Sequence, residues 1–436
     1  MNPLLTMFWD QATETLDRST LQHLQLKRLQ ATARRVARQV PFYREKFAEA
    51  GLKAGRIKTL ADLRHLPFTT TADLRANYPT GLLAVPLDDT LRLHTSSGTT
   101  GKPKALFFSR RDVDQAAELC ARSFVMTGVT RRDVFQNMMT YGLFTGALVT
   151  HYGAEKVGCL VIPAGPGNSE RQLLLMQDFR TTVFHITPSY ALYFASFIEK
   201  RGVDPRRDLA LRKAFVGAEP HTEETRRKIE HALGIDVYNS YGLSEMNGPG
   251  VAFECEHKQG LHVWEDNFLV EIIDPQTGEP LPDGQMGELV MTTLNREAMP
   301  LLRYRTRDMT SIILEPCPCG RTHRRLNRIT GRSDDMLIVR GVNIYPQQIE
   351  RVLMSTAGVG RNYLIRLEGL DEMIIQVELA EAGFDGHVEH LQQLQSGIAD
   401  RLRAEILVKP QIELVPPATL PVSEGKAKRV IDNRKL

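Results

Sequence analysis

Between residues 158 and 242, short apolar runs alternate with helical patterns: GCLVIPAG, RQLLLMQDF, TVFHITPSYALYFASFIEK, LRKAFVGAEP, HTEETRRKIEHALG and IDVYNSYG. No other feature of the chain constrains its fold as strongly. Strands that alternate with helices predict a parallel, helix-covered sheet, because parallel neighbours need a long crossover between them. Upstream, Leu21, Leu24, Leu29 and Val36 sit among Arg and Lys at roughly helical spacing between Leu16 and Val40. Pro41 is expected to stop that helix, and its basic side to be a solvated face. Residues 261–315 change character. VWEDNFLVEIID, GELVMTTL and MTSIILE, parted by the turn-rich DPQTGEPLPDGQMG, predict antiparallel β structure. Beyond Gly331 the segments DMLIVRG, PQQIERVLMS, NYLIRLEG and MIIQVELA, a helix from His387 to Leu407 and QIELV make a compact α/β unit. The expected class is α/β. A large domain over 1–331 would have helix-covered, mostly parallel sheets plus the antiparallel segment, a hinge would span 332–334, and a small mobile α/β domain would span 335–436.

At 436 residues the chain exceeds the size at which one core stops growing, so at least two domains are expected. A formal net charge of +3 is too mild to argue for a nucleic-acid partner, though small anionic substrates would suit it. The opening MNPLLTMFWDQATETLDRS lacks a basic lead-in, a long apolar core and a small-residue cleavage site, so it does not read as a secretory signal. No apolar run approaches the ~20 residues that span a bilayer. Five scattered cysteines argue against a disulfide framework and for a reducing compartment. The expectation is a cytoplasmic protein with neither nucleic-acid nor membrane partners.

Residues 94–104, HTSSGTTGKPK, place five hydroxyls, two glycines and two lysines together. This is not the Walker phosphate loop, because Ser96 stands where the first glycine belongs and Pro103 follows Lys102. The physics of a phosphate cradle is nevertheless present. Gly98 and Gly101 free the backbone to point N–H groups inward, while Ser96, Ser97, Thr99 and Thr100 add donors and Lys102 and Lys104 add charge. A polar surface turn is the competing reading of the stretch taken alone.

Its company decides between them. SSGTTGKPK, GAEP at 217–220, YGLSE at 241–245, YRTRD at 304–308, GRSDDMLIVRGVNIYPQQIE at 331–350 and SEGKAKRV at 423–430 occur in one order. In that order and spacing the chain resembles the adenylate-forming superfamily of acyl- and aryl-CoA ligases. Within it, VPFYR, YGLFTGALVTHYGAEKVG, ITPSYAL, MNGPGV and GLHVWEDNF make it most similar to the phenylacetate-CoA ligases. The resemblance covers essentially the whole chain. It implies that Ser96, Ser97, Gly98, Thr99, Thr100, Gly101 and Lys104 hold the ATP phosphates. Gly217, Ala218, Glu219 and Pro220, with Ser240, Tyr241 and Gly242, would sandwich adenine. Ser244 would face the α-phosphate or carboxylate, Glu245 would hold Mg²⁺, Asp308 would accept from the ribose hydroxyls and Arg332 would add a cation. Lys426 would reach in from the small domain as the catalytic lysine, and Asp334 would be the pivot.

The reaction implied has two halves. A carboxylate attacks the ATP α-phosphate to give an acyl-adenylate and pyrophosphate, and the thiol of coenzyme A then displaces AMP. The resemblance places Tyr141, Gly217 and Pro249 around an aromatic acid, with core packing as the other reading of Tyr141. It also implies a homodimer. The departures from the phenylacetate enzymes are Lys104, His185 and Asn267. A separate pattern is Cys317-Pro-Cys319-Gly320, a knuckle that binds zinc if Cys255 and His262 or His257 complete four ligands. Unmetallated cysteines are the alternative. Two rival functions stand beside the ligase: an adenylating enzyme for another aromatic acid or for a carrier-protein thiol, and a non-catalytic nucleotide or acyl sensor.

Overall fold

The computed structural model describes residues 7–95, 103–340, 342–368, 372–380, 388–421 and 427–434. These fall into two compact units, Met1–Gly165 with Tyr238–Ile329, and Pro166–Val237 with Thr330–Leu436.

In the first unit the expected N-terminal helix is Arg18–Gln39, capped by Asp17, whose side chain accepts from Thr20 N. Pro41 ends it and also begins the next helix, Pro41–Glu49, because proline's fixed φ and missing N–H suit the first helical position. The basic side of the first helix is not simply solvated. Arg18 pairs with Glu265 at 2.7 Å and Arg28 with Asp266 at 3.6 Å. The hairpin Thr90–Thr95 and Ala105–Ser109 leads directly into the helix Arg110–Val125, through a capping box in which Ser109 and Asp112 exchange hydrogen bonds. Val134–Asn137 and Leu160–Ile162 pair in parallel around the helix Thr145–Val157, which ends at Gly158 in the left-handed region.

The antiparallel part is larger than the sequence pattern implied. Asp236–Leu243, Gly248–Glu254 and Leu261–Val263 run antiparallel, followed by Arg325–Leu326 and Ile312–Ile313. A second antiparallel meander joins Phe268–Ile273, Gly287–Thr293 and Tyr304–Thr310. MTSIILE, expected as one strand, is divided after Thr310, and Ile312–Ile313 pairs elsewhere. The core beneath these strands includes Phe124, with Phe135 and Phe253 at ring distances of 5.0 and 6.2 Å, and the fully buried Trp264.

The second unit opens with the helix Ser169–Asp178 and the parallel strands Val183–Ile186 and Lys213–Gly217, connected through the helix Pro188–Lys200. Thr222 caps the helix Glu223–Leu233, which Gly234 closes. The C-terminal stretch forms a four-stranded sheet in the order Gln411–Val415, Glu372–Leu379, Val359–Glu368, Val430–Asp432. Its outer strands are parallel to their neighbours and its central pair is antiparallel. Helices Pro346–Met354 and Val388–Ile406 cover a core containing Ile349, Leu353, Ile365, Ile375, Ile398 and Leu402. Among the described residues no helix is long and apolar enough to cross a membrane.

Candidate active site

Ser96, Ser97, Gly98, Thr99, Thr100, Gly101 and Lys426 lie outside the described residues. Lys104, on the far side of the Gly-rich stretch, is described. Its ammonium forms an ion pair with the Glu245 carboxylate, and Tyr304 donates its hydroxyl to the same carboxylate oxygen at 2.9 Å. Glu245 lies in a short turn of helix, Ser244–Met246, whose carbonyl at Glu245 accepts from Arg296. Burial works to raise the Glu245 pKa, but Lys104 and Tyr304 outweigh it and hold the carboxyl below its usual value. The result is a buried, ionised carboxylate with a cation at hand.

Gly242 explains how YGLSE takes its shape. A Cβ there would meet the Gly248 carbonyl oxygen at 2.3 Å and Pro249 Cα at 2.6 Å, so the two strands close only over a glycine. Gly242 and Pro249 are cross-strand partners. Asp308 accepts from the Tyr241 hydroxyl at 2.5 Å, joining two residues assigned to the nucleoside. The arginines of YRTRD have partners of their own. Arg305 and Arg307 reach the fully buried Glu288 at 2.7 and 3.4 Å, and the preceding Arg303 reaches Glu271 at 2.9 Å. Ser240 is buried on the same strand as Tyr241.

Tyr141 precedes the helix Thr145–Val157 and is half-buried. Its hydroxyl accepts from Asn137 Nδ2 at 3.0 Å and lies 3.1 Å from His151 Nδ1, and burial raises its pKa to about 12. The neighbouring Leu143 and Phe144 are exposed apolar side chains. Asn267 is enclosed by amides and an acid: it accepts from Asn295 at 2.9 Å and from Gln115, and donates to Asp266 at 2.8 Å.

In the second unit Gly217 ends its strand and Ala218 follows at φ +67°, a left-handed turn that is costly for a residue with a Cβ. Glu219 accepts from Ser189 N and Oγ at 3.1 and 2.9 Å, and from the backbone N–H of Ala427, the residue after Lys426. Burial raises the Glu219 pKa against these hydrogen bonds. Pro220 follows in the same turn. Arg332 makes a bidentate pair with Asp334 at 2.8 Å through each nitrogen. His185 is buried on Val183–Ile186, and burial lowers its pKa to about 3.

Tyr304, Arg296 and Ser189 were not picked out from the sequence. Tyr304 opens the YRTRD motif and Ser189 lies within ITPSYAL, so both carried a signal; Arg296 lay in no motif. Apart from these, Cys255, His262, Cys317 and Cys319 are gathered in the first unit, with all four ligand atoms within 4.8 Å of one another.

Residues 18–295 match the family model for the AMP-binding enzyme, and residues 341–434 match that for the AMP-binding enzyme C-terminal domain. The phenylacetate-coenzyme A ligase of Thermus thermophilus is 46% identical, covering 98% of this chain and 100% of its own length. That of Pseudomonas putida is 45% identical, covering 97% of this chain and 96% of its own length. A crystal structure of 2-hydroxyisobutyryl-CoA ligase in the postadenylation state, in complex with 2-HIB-AMP, superposes with a TM-score of 0.93 at 29% identity. It covers 99% of this chain and 94% of that one. The chain belongs to the AMP-binding enzyme family, the adenylate-forming superfamily to which its motifs pointed.

Proposed function

We propose that this protein is an AMP-forming acid–thiol ligase that converts phenylacetate to its CoA thioester at the expense of ATP. The observation that carries the reading is similarity at 41–46% identity, over 97–98% of the chain, to four phenylacetate-coenzyme A ligases. The site chemistry is consistent with it. Lys104 supplies a cation beside the phosphate loop, and Asp308, an acceptor-only group when ionised, suits a ribose diol. Tyr141, with Leu143 and Phe144 just after it, gives an apolar wall for the aromatic ring, and Pro249 of the same unit belongs to the same pocket. Glu219 steadies the backbone that follows Lys426, and Asp334, which pairs with Arg332, is the pivot we propose for a small domain over 335–436.

Glu245 fits Mg²⁺ by its donor chemistry, being a buried carboxylate already held ionised. Bound there, the ion would neutralise charge on the ATP phosphates. This chain's own residues do the rest. Lys104 and the donors of the Gly-rich loop hold the β- and γ-phosphates as pyrophosphate leaves. Lys426 steadies the charge that builds where the substrate carboxylate meets the α-phosphate. Rotation of the small domain then withdraws Lys426 and admits the CoA thiol. A homodimer in the cytoplasm, where ATP and CoA are supplied, completes the proposal.

The test measures pyrophosphate release with phenylacetate, benzoate and other aryl acids, with and without CoA. Release that requires the aryl acid, with phenylacetyl-CoA formed when CoA is present and phenylacetate preferred, is expected. Turnover only with a carrier-protein thiol, or nucleotide binding without turnover, would overturn the reading.

A further inference from the structure

We infer that Cys255, His262, Cys317 and Cys319 bind one structural zinc ion, a site separate from the ligase chemistry. Four residues from three places in the chain converge on it. Cys255 follows the strand Gly248–Glu254, His262 lies in Leu261–Val263, and the two remaining cysteines lie in the loop after Ile312–Ile313.

The spacing matches a tetrahedron. With Zn–S near 2.3 Å and Zn–N near 2.0–2.1 Å, tetrahedral angles require S···S of about 3.8 Å and S···N of about 3.5 Å. Cys255 Sγ and Cys317 Sγ are 3.6 Å apart, and Cys319 Sγ lies 3.4 Å from His262 Nε2. His257, the alternative fourth ligand, is not among the four gathered residues, and its Nε2 lies 3.6 Å from Glu256.

The surroundings of His262 point to the same conclusion. It is completely buried, and among the described residues Nδ1 has no hydrogen-bond partner while Nε2 faces a thiol. A core histidine kept for packing would have its ring nitrogens paired with stronger partners. A metal on Nε2 replaces the weak thiol contact there with a strong bond and leaves the ring proton on Nδ1.

The loop has the form of a knuckle. Gly320 N–H bonds back to the Cys317 carbonyl at 3.1 Å, with Gly320 at φ +82°. Arg325 donates to the carbonyls of Gln259 and Glu315, stitching the two ligand-bearing segments together. Four protein ligands leave no open position, which is the arrangement of a structural rather than a catalytic zinc. On binding, each of the three thiols gives up its proton to solvent and the imidazole stays neutral, leaving a site of net charge −1.

The knuckle also holds the N-terminal segment. Fully buried Arg321 pairs with fully buried Glu14 at 2.7 Å, and His323 Nε2 lies 3.1 Å from the Thr13 carbonyl. Zinc at the root of this loop therefore fastens residues 7–16 to the rest of the first unit.

The test begins with tag-free protein purified without added metal. Elemental analysis should give one zinc per chain, and X-ray absorption should give three sulfurs and one nitrogen around it. The Cys319→Ser and Cys255→Ser variants should lose the zinc. If they fail to fold, the absorption measurement on the unaltered protein still decides. Stripping zinc with a strong chelator should lower the melting temperature and speed amide exchange over residues 7–16. Protein without zinc, iron in its place, a shell of oxygens and nitrogens only, a Cys255–Cys317 disulfide, or zinc removal that leaves both readouts unmoved would overturn the inference.

Discussion

Removing the Lys104 side chain isolates a buried charge, and the size of the effect follows from the burial. In the Lys104–Glu245 pair the side chains are 14% and 5% exposed, so neither group has much water to fall back on. Breaking a buried ion pair by deleting one partner costs about 3–5 kcal/mol, because the remaining charge stays desolvated. Lys104→Met should lose stability of that order at neutral pH. The double variant Lys104→Met, Glu245→Gln should recover most of it, since the stranded charge is gone, while remaining inactive. The pH dependence has a definite sign. Partners hold the folded Glu245 pKa below its unfolded value, so the pair stabilises above the unfolded value and that stability is lost as pH falls through the folded pKa. In Lys104→Met the burial contribution is opposed only by weaker hydrogen bonds and the folded pKa rises. The deficit against the unaltered protein should then shrink on acidification toward the unfolded carboxyl pKa of about 4.3. Urea titration followed by tryptophan fluorescence reads the right unit, because both tryptophans, Trp9 and Trp264, lie in the first. Equal stability of Lys104→Met and the unaltered protein at neutral pH, or a deficit that grows on acidification, would refute the reasoning.

Gly242→Ala should push the strands of YGLSE and MNGPGV apart, costing about 1–3 kcal/mol by overpacking and raising KM for both ATP and the acid; an unchanged melting temperature would contradict it. Tyr141→Ala should raise KM for the aryl acid and leave that for ATP nearly unmoved, since it removes contacts made equally in ground and transition states; equal movement of both makes Tyr141 core packing. Lys426→Ala should slow adenylate formation by roughly 10²–10³-fold yet make thioester from preformed acyl-adenylate at close to the normal rate. Equal loss in both halves by a folded variant would remove this lysine from its assigned role.

The parts of the fold governed by local pattern were legible in the sequence. Helix Glu223–Leu233 lies between Thr222 and Gly234, a capping residue and a left-handed stop, both of which can be read from the letters. The expected helix from His387 to Leu407 is Val388–Ile406. What could not be read was long-range pairing. Ile312 and Ile313 read as a continuation of the strand before them, but nothing in MTSIILE reveals that they pair with Arg325–Leu326. Pro41 read only as a stop because a proline breaks the helix behind it and begins the one ahead with equal ease. In the site, Lys104 read as a phosphate ligand, and its contact with Glu245 depends on a separation of 141 residues that no motif encodes. Arg296 was invisible for the same reason. It supports Glu245 through the backbone carbonyl, a role any buried arginine can take.

The central claim is that the acid is activated as an acyl-adenylate, and the fate of the carboxylate oxygens tests it most directly. Phenylacetate labelled with oxygen-18 in both carboxylate positions is turned over with ATP and CoA, and the nucleotide products are weighed by mass spectrometry. Attack on the α-phosphate leaves one carboxylate oxygen on that phosphorus when the thiol displaces AMP. The account therefore predicts AMP carrying a single heavy oxygen, with unlabelled pyrophosphate. ADP as the nucleotide product with label in inorganic phosphate, or AMP without label, would contradict it.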